Sequence, residues 1–413
     1  MLQEAANARA ARGWAICSKA LAYTIVCLLA LAGDAARAQT DFKLFRDSYP
    51  TPDVTIGERL QPQEIENAFA ISEVIIASLG RRFADTLIRR DAHPKAHGCV
   101  KGEFAIEPDL TPDLAKGAFQ PGARYRAWVR FSNGNEDPER PDGEGDGRGM
   151  AIKLLGVPGD NLLAEDSSNM DLIMISHPTF FVNDLDDYLS VVSTVNTTSW
   201  LRRTAAPLLM LRDIGVRGLQ IVLQTTRLRI SNPLDTRYWS MVPYRLGEAT
   251  DPDRTAVKFS SRPCSPVQSE PAGDNAEPDF LRAALSGRLT QGACMEFLVQ
   301  PRRDPSLSIE DSQREWEEAD APFYRVASIL FPPQSFDTAE QNEFCEALSF
   351  NPWRTRAAHR PLGAVNRARK GIYERVSHFR REANTFSTTE PLAATGTPPD
   401  RPLTDGETRR APR

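Results

Sequence analysis

The chain has 413 residues, of which 25% are charged and 41% hydrophobic, and its formal net charge is −5 at pH 7. This composition is typical of a globular protein, and the length suffices for one large or two ordinary domains. The negative net charge and the scattered basic residues speak against a nucleic-acid partner.

The N-terminal residues have the pattern of a targeting segment. Basic residues precede an apolar run over residues 20–32, and Ala-Arg-Ala at 36–38 is a small-x-small cleavage pattern before Gln39. The apolar run is short for a transmembrane helix. We therefore expect a signal peptide over 1–38 and a periplasmic or secreted protein, with a retained membrane anchor as the alternative.

Four cysteines follow this segment: Cys99, Cys264, Cys294 and Cys345. In an oxidising compartment they allow up to two disulfides in three connectivities, and free buried thiols are the alternative. None has CxxC spacing, which disfavours a zinc site.

Apolar periodicity divides the rest of the chain into helical and strand-like blocks. Polar, proline-dotted residues 39–62 predict an extended arm, and the polar residues 384–413 predict a disordered tail. We expect helices within 63–90, 184–225, 281–289 and 364–381, and strands within 93–182, 238–264, 294–300 and 323–331.

Two strand-like segments carry arginines within the strand. Residues 129–132 read Val-Arg-Phe-Ser, and residues 146–153 read Asp-Gly-Arg-Gly-Met-Ala-Ile-Lys. An arginine drawn toward a core needs an anion or a dipole as partner, because an unpaired buried charge is costly. The segments therefore indicate a strand-built site for an acidic ligand.

These segments also resemble the haem-domain core of the catalase superfamily, which has Val-Arg-Phe-Ser and then Asp-x-Arg-Gly-x-Ala-x-Lys. The resemblance runs patchily from about residue 86 to 382 and places a haem domain at 63–383. It implies an α+β fold, an antiparallel β-barrel with flanking helices. A barrel of this size can hold a ligand.

Residues 90–98 contain two of the five histidines, and a histidine is a good proton shuttle. A hydrogen-bonded structural histidine is the alternative. The stretch resembles the catalase Arg-x-x-His-x-Lys-Gly motif, which implies that His93 is the distal catalytic histidine. By the same resemblance, Arg90 binds a haem propionate and Ser132 orients His93. The spacing differs slightly from that of catalases, so His97 is a rival.

Residues 171–181 resemble the catalase strand that ends in Pro-x-Phe-Phe. The resemblance implies that Phe180 and Tyr188 form part of the haem-pocket wall. The family's distal asparagine falls on Ile175 here. Isoleucine donates no hydrogen bond, so we expect weaker polarisation of peroxide.

The helix predicted at 364–381 places Arg369 and Tyr373 on one face, at positions i and i+4. Arg-x-x-x-Tyr is common by chance, and a surface cation–π pair is the alternative. Here it matches the proximal motif of catalases, whose haem iron is ligated by tyrosine. The resemblance implies that Tyr373 is the axial ligand. It also implies that Arg380 and Arg130 join Arg90 in binding propionates.

The expected function is haem b-dependent heterolysis of hydrogen peroxide or an organic hydroperoxide, of catalase or peroxidase type. Isomerisation or dehydration of fatty-acid hydroperoxides is one alternative, and a non-catalytic haem-binding protein is another. The absence of paired carboxylates and of a His/Cys cluster disfavours glycoside or metal hydrolysis. The sequence leaves open the second substrate and the oligomeric state.

Overall fold

The computed structural model describes residues 36–163, 165, 167–265, 276–393 and 395–396. One compact unit ends at Tyr49 and a second begins at Pro50. In the first unit, residues 36–47 form helix α1, so the predicted extended arm is wrong over 39–47. The predicted signal peptide lies outside the described residues up to position 35. None of the described helices is both long and apolar enough to span a membrane.

The second unit alternates strands and helices largely as the apolar pattern predicts. Its helices are α2 (Glu64–Arg82), α3 (Leu185–Val195), α4 (Trp200–Thr226), α5 (Phe280–Leu289), α6 (Ala339–Ala347) and α7 (Ala364–Ala383). Its strands are β1 (Ala96–Ile106), β2 (Arg124–Asn133), β3 (Arg148–Leu154), β4 (Met170–Ile175), β5 (Tyr238–Trp239), β6 (Tyr244–Leu246), β7 (Thr255–Pro263), β8 (Ala293–Pro301) and β9 (Tyr324–Phe331).

The strands close into an antiparallel barrel. Strands β4, β3, β2, β1, β9, β8 and β7 pair in that order, and β5 pairs with both β4 and β7 to close the ring of eight. Strand β6 continues the same edge of β7 beyond β5. The barrel and its flanking helices confirm the predicted fold class.

Aromatic side chains fill the barrel interior. Phe297 lies 5.0 Å from Phe104 and 5.4 Å from Phe259 between ring centroids, and Phe119 and Phe131 pack in the same cluster. These rings fill the interior, and the cavity described below lies at the barrel wall beside helices rather than among them.

A buried ion cluster fixes the start of α7. The guanidinium of Arg367 donates to Glu58 at 2.7 Å, to Glu64 at 2.7 Å and to Glu310 at 2.9 Å. Removing one partner from such a cluster costs about 3–5 kcal/mol, because a buried charge is left without compensation. The cluster thus holds in place the helix that carries Tyr373.

The C-terminal segment is bound to the domain well beyond residue 384, which corrects the predicted disorder over 384–391. Asn384 exchanges two hydrogen bonds with the backbone of Ile88, at 3.0 and 2.8 Å. Glu390 forms an ion pair with Lys153 at 2.7 Å and accepts a hydrogen bond from Arg381 at 2.9 Å. Burial opposes ionisation of Glu390, but these cations and Arg354 lower its pKa to about 2. Residues 397–413 lie outside the described part.

The four cysteines divide into one disulfide and two thiols. Cys264 and Cys294 are bonded, which selects one pairing among those left open by the sequence. Cys99 and Cys345 are buried free thiols in one apolar cluster with Trp128.

Candidate active site

A cavity of about 990 Å³ of empty space, the open mouth included, lies between the barrel wall and helices α2, α3 and α7. The barrel contributes side chains from β2, β3 and β4, and the loop before β1 contributes residues 90–93.

Strand register places the wall residues in two rows on the outer face of the barrel. Arg130 pairs with Ala151, which pairs with Ile173. Ser132 pairs with Gly149, which pairs with Ile175. Because side chains alternate along a strand, the intervening row of Phe131, Met150 and Met174 belongs to the barrel core. The alternation thus explains why Arg130 and Ser132 share one face.

His93 is half-buried on the cavity wall and held from three directions. Its backbone has φ 62°, a left-handed conformation that is strained for a non-glycine residue. The Arg130 guanidinium donates to its carbonyl oxygen at 2.8 Å, and its N–H donates to the Gly134 carbonyl at 3.3 Å. Its Nδ1 lies 3.1 Å from Ser132 Oγ. Nε2 is therefore the ring nitrogen that a bound substrate would meet.

Because Gly149 has no side chain, the His93 ring can occupy the space beside it. A Cβ at this position would lie 2.5 Å from His93 Nδ1 and 2.7 Å from Ser132 Oγ. Burial and the neighbouring Arg130 lower the pKa of His93 to about 4. The imidazole is consequently neutral at pH 7 and can accept a proton.

His97 lies away from the cavity. It is 1% exposed, its Nε2 lies 2.8 Å from Asn133 Oδ1, and its Nδ1 lies 3.7 Å from Asp142. Burial and the charge of Arg148 hold its pKa well below the usual value. The structure thus separates the two rival histidines and places only His93, of these two, on the cavity wall.

Three arginines converge at one end of the cavity: Arg90, Arg130 and Arg380. Arg90 and Arg380 donate to the Leu348 carbonyl at 2.7 and 2.9 Å, and both contact the Glu346 carboxylate, at 3.0 and 3.4 Å. Burial opposes ionisation of Glu346, but the three arginines lower its pKa.

The charges of this cluster do not balance. Three guanidiniums face one carboxylate, which leaves an excess of two positive charges. Burial and mutual repulsion lower the pKa of Arg130 and of Arg380, and Arg130 Nε is buried without a hydrogen-bond partner among the described atoms. The cluster therefore fits a ligand that carries two negative charges.

Tyr373 lies on the α7 side of the cavity with a guanidinium behind it. Arg369 Nη2 donates to the Tyr373 hydroxyl at 3.3 Å, and the guanidinium lies 5.1 Å from the ring centroid. Burial opposes the charge of Arg369, but the Tyr373 and Tyr244 hydroxyls raise its pKa.

Two predicted pocket residues stand behind the wall. Phe180 packs edge-on against Tyr188 at 5.6 Å, and Tyr188 lines the cavity. Arg369 likewise reaches the cavity through Tyr373. Ile175 occupies the row of Ser132 and Gly149 but does not itself line the cavity. The structure thus brings together His93, Ser132, Arg90, Arg130, Tyr188, Tyr373 and Arg380.

Two acidic residues of the site have no counterpart in the sequence interpretation. Asp91 lines the cavity beside His93 and pairs with Arg82 at 3.2 Å, and burial raises its pKa to about 6. Its position in the sequence between Arg90 and His93 could have indicated that it belongs to the site. Glu346, which is remote from those residues in sequence, gave no signal.

Comparison with known proteins agrees with this geometry. A model of the Catalase family matches residues 68–203. A catalase-related peroxidase from Mycolicibacterium paratuberculosis (strain ATCC BAA-968 / K-10) is 27% identical over 257 residues, which is 62% of this chain and 77% of the relative. The chain is thus similar to the catalase family over this region. The family match includes His93 and Ser132, and Tyr373 lies outside it.

Solved catalases share the fold. A bacterial catalase aligns with a TM-score of 0.58 at 17% identity over 82% of this chain and 65% of its own. A fungal catalase has a TM-score of 0.56 at 16% identity, and catalase A from Saccharomyces cerevisiae has 0.55 at 17%, each over 76% of this chain. The chain spans 62–65% of the length of these three catalases.

Proposed function

We propose that the cavity binds haem b and that the protein processes hydroperoxides, either hydrogen peroxide or an organic hydroperoxide. One observation carries the proposal. The same cavity has a neutral, serine-bonded histidine, a tyrosine backed by a guanidinium, and an arginine cluster with two positive charges in excess. The similarity to a catalase-related peroxidase supports a peroxide substrate.

The residues of the cavity fit haem b. Its two propionates match the charge excess of Arg90, Arg130 and Arg380, and guanidinium–carboxylate pairs are strong when partly buried. Tyr373, whose hydroxyl accepts a hydrogen bond from Arg369, has the donor chemistry that ferric iron takes from tyrosine. The surrounding apolar side chains, such as Ile75 and Ile372, suit the macrocycle.

Bound haem would supply the redox-active iron for cleavage of the peroxide O–O bond. His93 would accept the proton of the hydroperoxide on Nε2 and return it to the departing oxygen, because its pKa of about 4 keeps it neutral at pH 7. Ser132 and Arg130 fix the ring and the backbone of His93. The strained backbone of His93 thus serves to position the base.

The outer face near His93 is apolar. By the family resemblance, Ile175 falls where catalases have a hydrogen-bonding asparagine, and Ile173 lines the cavity in the neighbouring row. Without that donor, peroxide is less polarised. We therefore propose weak peroxide dismutation and relatively more oxidation of a second, organic donor. The apolar wall also favours the second candidate function, rearrangement of fatty-acid hydroperoxides.

The test is hydroperoxide consumption by the haem-loaded protein, with hydrogen peroxide, an alkyl hydroperoxide and a fatty-acid hydroperoxide. His93→Gln should lower the rate by about 10²–10⁴-fold, the usual contribution of a general base. His378→Gln is the matched control, because its side chain is 74% exposed on α7. A His93→Gln variant as fast as wild type would refute the mechanism and favour a non-catalytic role. Rearranged fatty-acid products without consumption of a donor would favour the second candidate.

A further inference from the structure

Two buried free thiols, Cys99 on β1 and Cys345 on α6, lie together beside the arginine end of the cavity. They belong to one apolar cluster with Trp128 and are 1% and 3% exposed, and the two thiol groups interact directly. Gln341 lies one turn before Cys345 on the same face of α6, and its Nε2 donates to the Cys99 carbonyl at 2.6 Å. This face of α6 thus holds Cys345 against Cys99.

The thiol pair adjoins the cavity wall through two arginines. Cys99 is the β1 residue directly opposite Arg130 in the ladder with β2, so their side chains stand side by side on the outer face of the barrel. On the α6 side, the Cys345 carbonyl accepts a hydrogen bond from Arg90 at 3.1 Å. Arg130 and Arg90 both line the cavity. The thiols are therefore next to residues of the wall and lie in an electropositive environment.

The two thiols differ in their electrostatic surroundings. Burial opposes ionisation of Cys345, but the Cys99 thiol and the guanidiniums of Arg130 and Arg90 lower its pKa. Burial and the neighbouring Cys345 raise the pKa of Cys99 well above its usual value. Because the thiolate is the nucleophile, Cys345 is the more reactive sulfur, and Cys99 is the thiol beside it that can resolve an oxidised product.

We propose that hydrogen peroxide oxidises this pair to a Cys99–Cys345 disulfide. The Cys345 thiolate attacks one peroxide oxygen, so that an S–O bond forms, the O–O bond breaks, and hydroxide leaves and takes up the proton that the thiol gave up. The Cys99 thiol then attacks the sulfur of the resulting sulfenic acid, the S–S bond forms and water leaves. Two thiols are oxidised by two electrons in total, and one hydrogen peroxide is reduced to two waters.

The burial of both sulfurs selects the oxidant. A thiol that is 3% exposed is closed to the thiol of a second protein and to a bulky hydroperoxide, whereas hydrogen peroxide is little larger than water. The reaction uses no haem. It is therefore additional to the function proposed above and does not depend on it.

The test is disulfide mapping by mass spectrometry in the purified full chain without added haem. The chain is first reduced, freed of the reductant and then treated with hydrogen peroxide. We expect a linked pair of peptides that carry Cys99 and Cys345, formed at least about tenfold faster than with cumene hydroperoxide at the same concentration. Cys99→Ser should stop at the sulfenic acid of Cys345, which dimedone traps as the protein is unfolded, whereas Cys345→Ser should leave Cys99 unmodified.

Arg130→Gln should slow formation of the link about fivefold or more, because it removes a cation that favours the Cys345 thiolate. The matched control is Arg124→Gln on the same strand, whose side chain is 63% exposed and which should form the link at the wild-type rate. Thiols that stay unmodified in the wild type, as inert structural cysteines do, would overturn the proposal. So would equal rates with the two oxidants, or a sulfenic acid on Cys99 rather than on Cys345.

Discussion

Replacing Gly149 by alanine tests how tightly the structure positions His93. The added Cβ would lie 2.5 Å from His93 Nδ1 and 2.7 Å from His93 Cε1. Non-bonded carbon atoms prefer about 3.5–4.0 Å, so the ring must retreat by about 1 Å. Its backbone, at φ 62° and tied to Arg130, can absorb little of this movement.

A displacement of about 1 Å typically costs about 100-fold in rate, and overpacking of this kind costs about 1–3 kcal/mol of stability. We therefore expect Gly149→Ala to consume hydroperoxide about 100-fold more slowly. It should still bind haem, because Tyr373 and Arg380 on α7 are untouched. The assay pairs initial rates of hydroperoxide loss with a haem titration of the same preparation.

Gly287→Ala is the control, because Gly287 lies on α5 with no atom within 4 Å of the added Cβ. It should keep its activity and gain about 0.5–1 kcal/mol of stability from the helix preference of alanine. A folded Gly149→Ala variant that turns over at the wild-type rate would refute the positioning of His93 described above.

Three further predictions concern the surroundings of His93 and the buried histidines. Ile175→Asn should raise the rate of hydrogen peroxide dismutation, measured by oxygen release, relative to the rate of peroxidation. Ile173→Asn in the neighbouring row should not. Equal effects of the two variants would contradict a specific role of position 175 in polarising peroxide. Arg130→Gln should weaken haem binding about 10–100-fold in a spectroscopic titration, because it removes one charged hydrogen bond, and unchanged affinity would contradict its role. Burial lowers the pKa of His93 to about 4 and that of His359 to about 3. Between about pH 6.5 and 4 the unfolded chain therefore binds more protons than the folded protein, and the free energy of unfolding falls as the pH falls. A melting temperature that rises from pH 7 to 4.5 would contradict this sign.

Local sequence patterns were sufficient to predict the strands and the helix that carry the site residues. Alternation in β2 and β3 predicted strands that carry Arg130 and Ser132, and helical spacing predicted Arg369 and Tyr373 on one face of α7. These features depend on neighbours a few residues apart, and the chain itself records such spacing.

Long-range contacts were not readable in the same way. Glu390 binds Lys153, 237 positions earlier in the chain, and its segment was predicted to be disordered because its composition is polar. Glu346, which contacts Arg90 and Arg380, lies in a stretch without a motif. The composition of a segment indicates how much apolar surface it can bury by itself. It does not indicate which partners another part of the fold supplies.

The two histidines show a similar limit. His93 and His97 lie four residues apart. His93 itself has a left-handed backbone, and the register of β1 shifts between Ala96 and Gly98, at His97. These irregularities decide which ring faces the cavity, and neither follows from an alternating pattern. The spacing of this irregular segment differs from that of the catalase motif. Because of this difference, the sequence left both histidines as candidates for the distal base.

The absorption spectrum of the haem-reconstituted protein, recorded beside Tyr373→Phe and the control Tyr324→Phe, tests the central claim most directly. Tyr324 lies on β9 and does not line this cavity. The proposed site predicts a ferric Soret band with tyrosinate charge-transfer features in the wild type and in Tyr324→Phe, and loss of those features in Tyr373→Phe. No Soret band after reconstitution, or the same spectrum in all three proteins, would contradict the assignment of this cavity and of Tyr373 to haem.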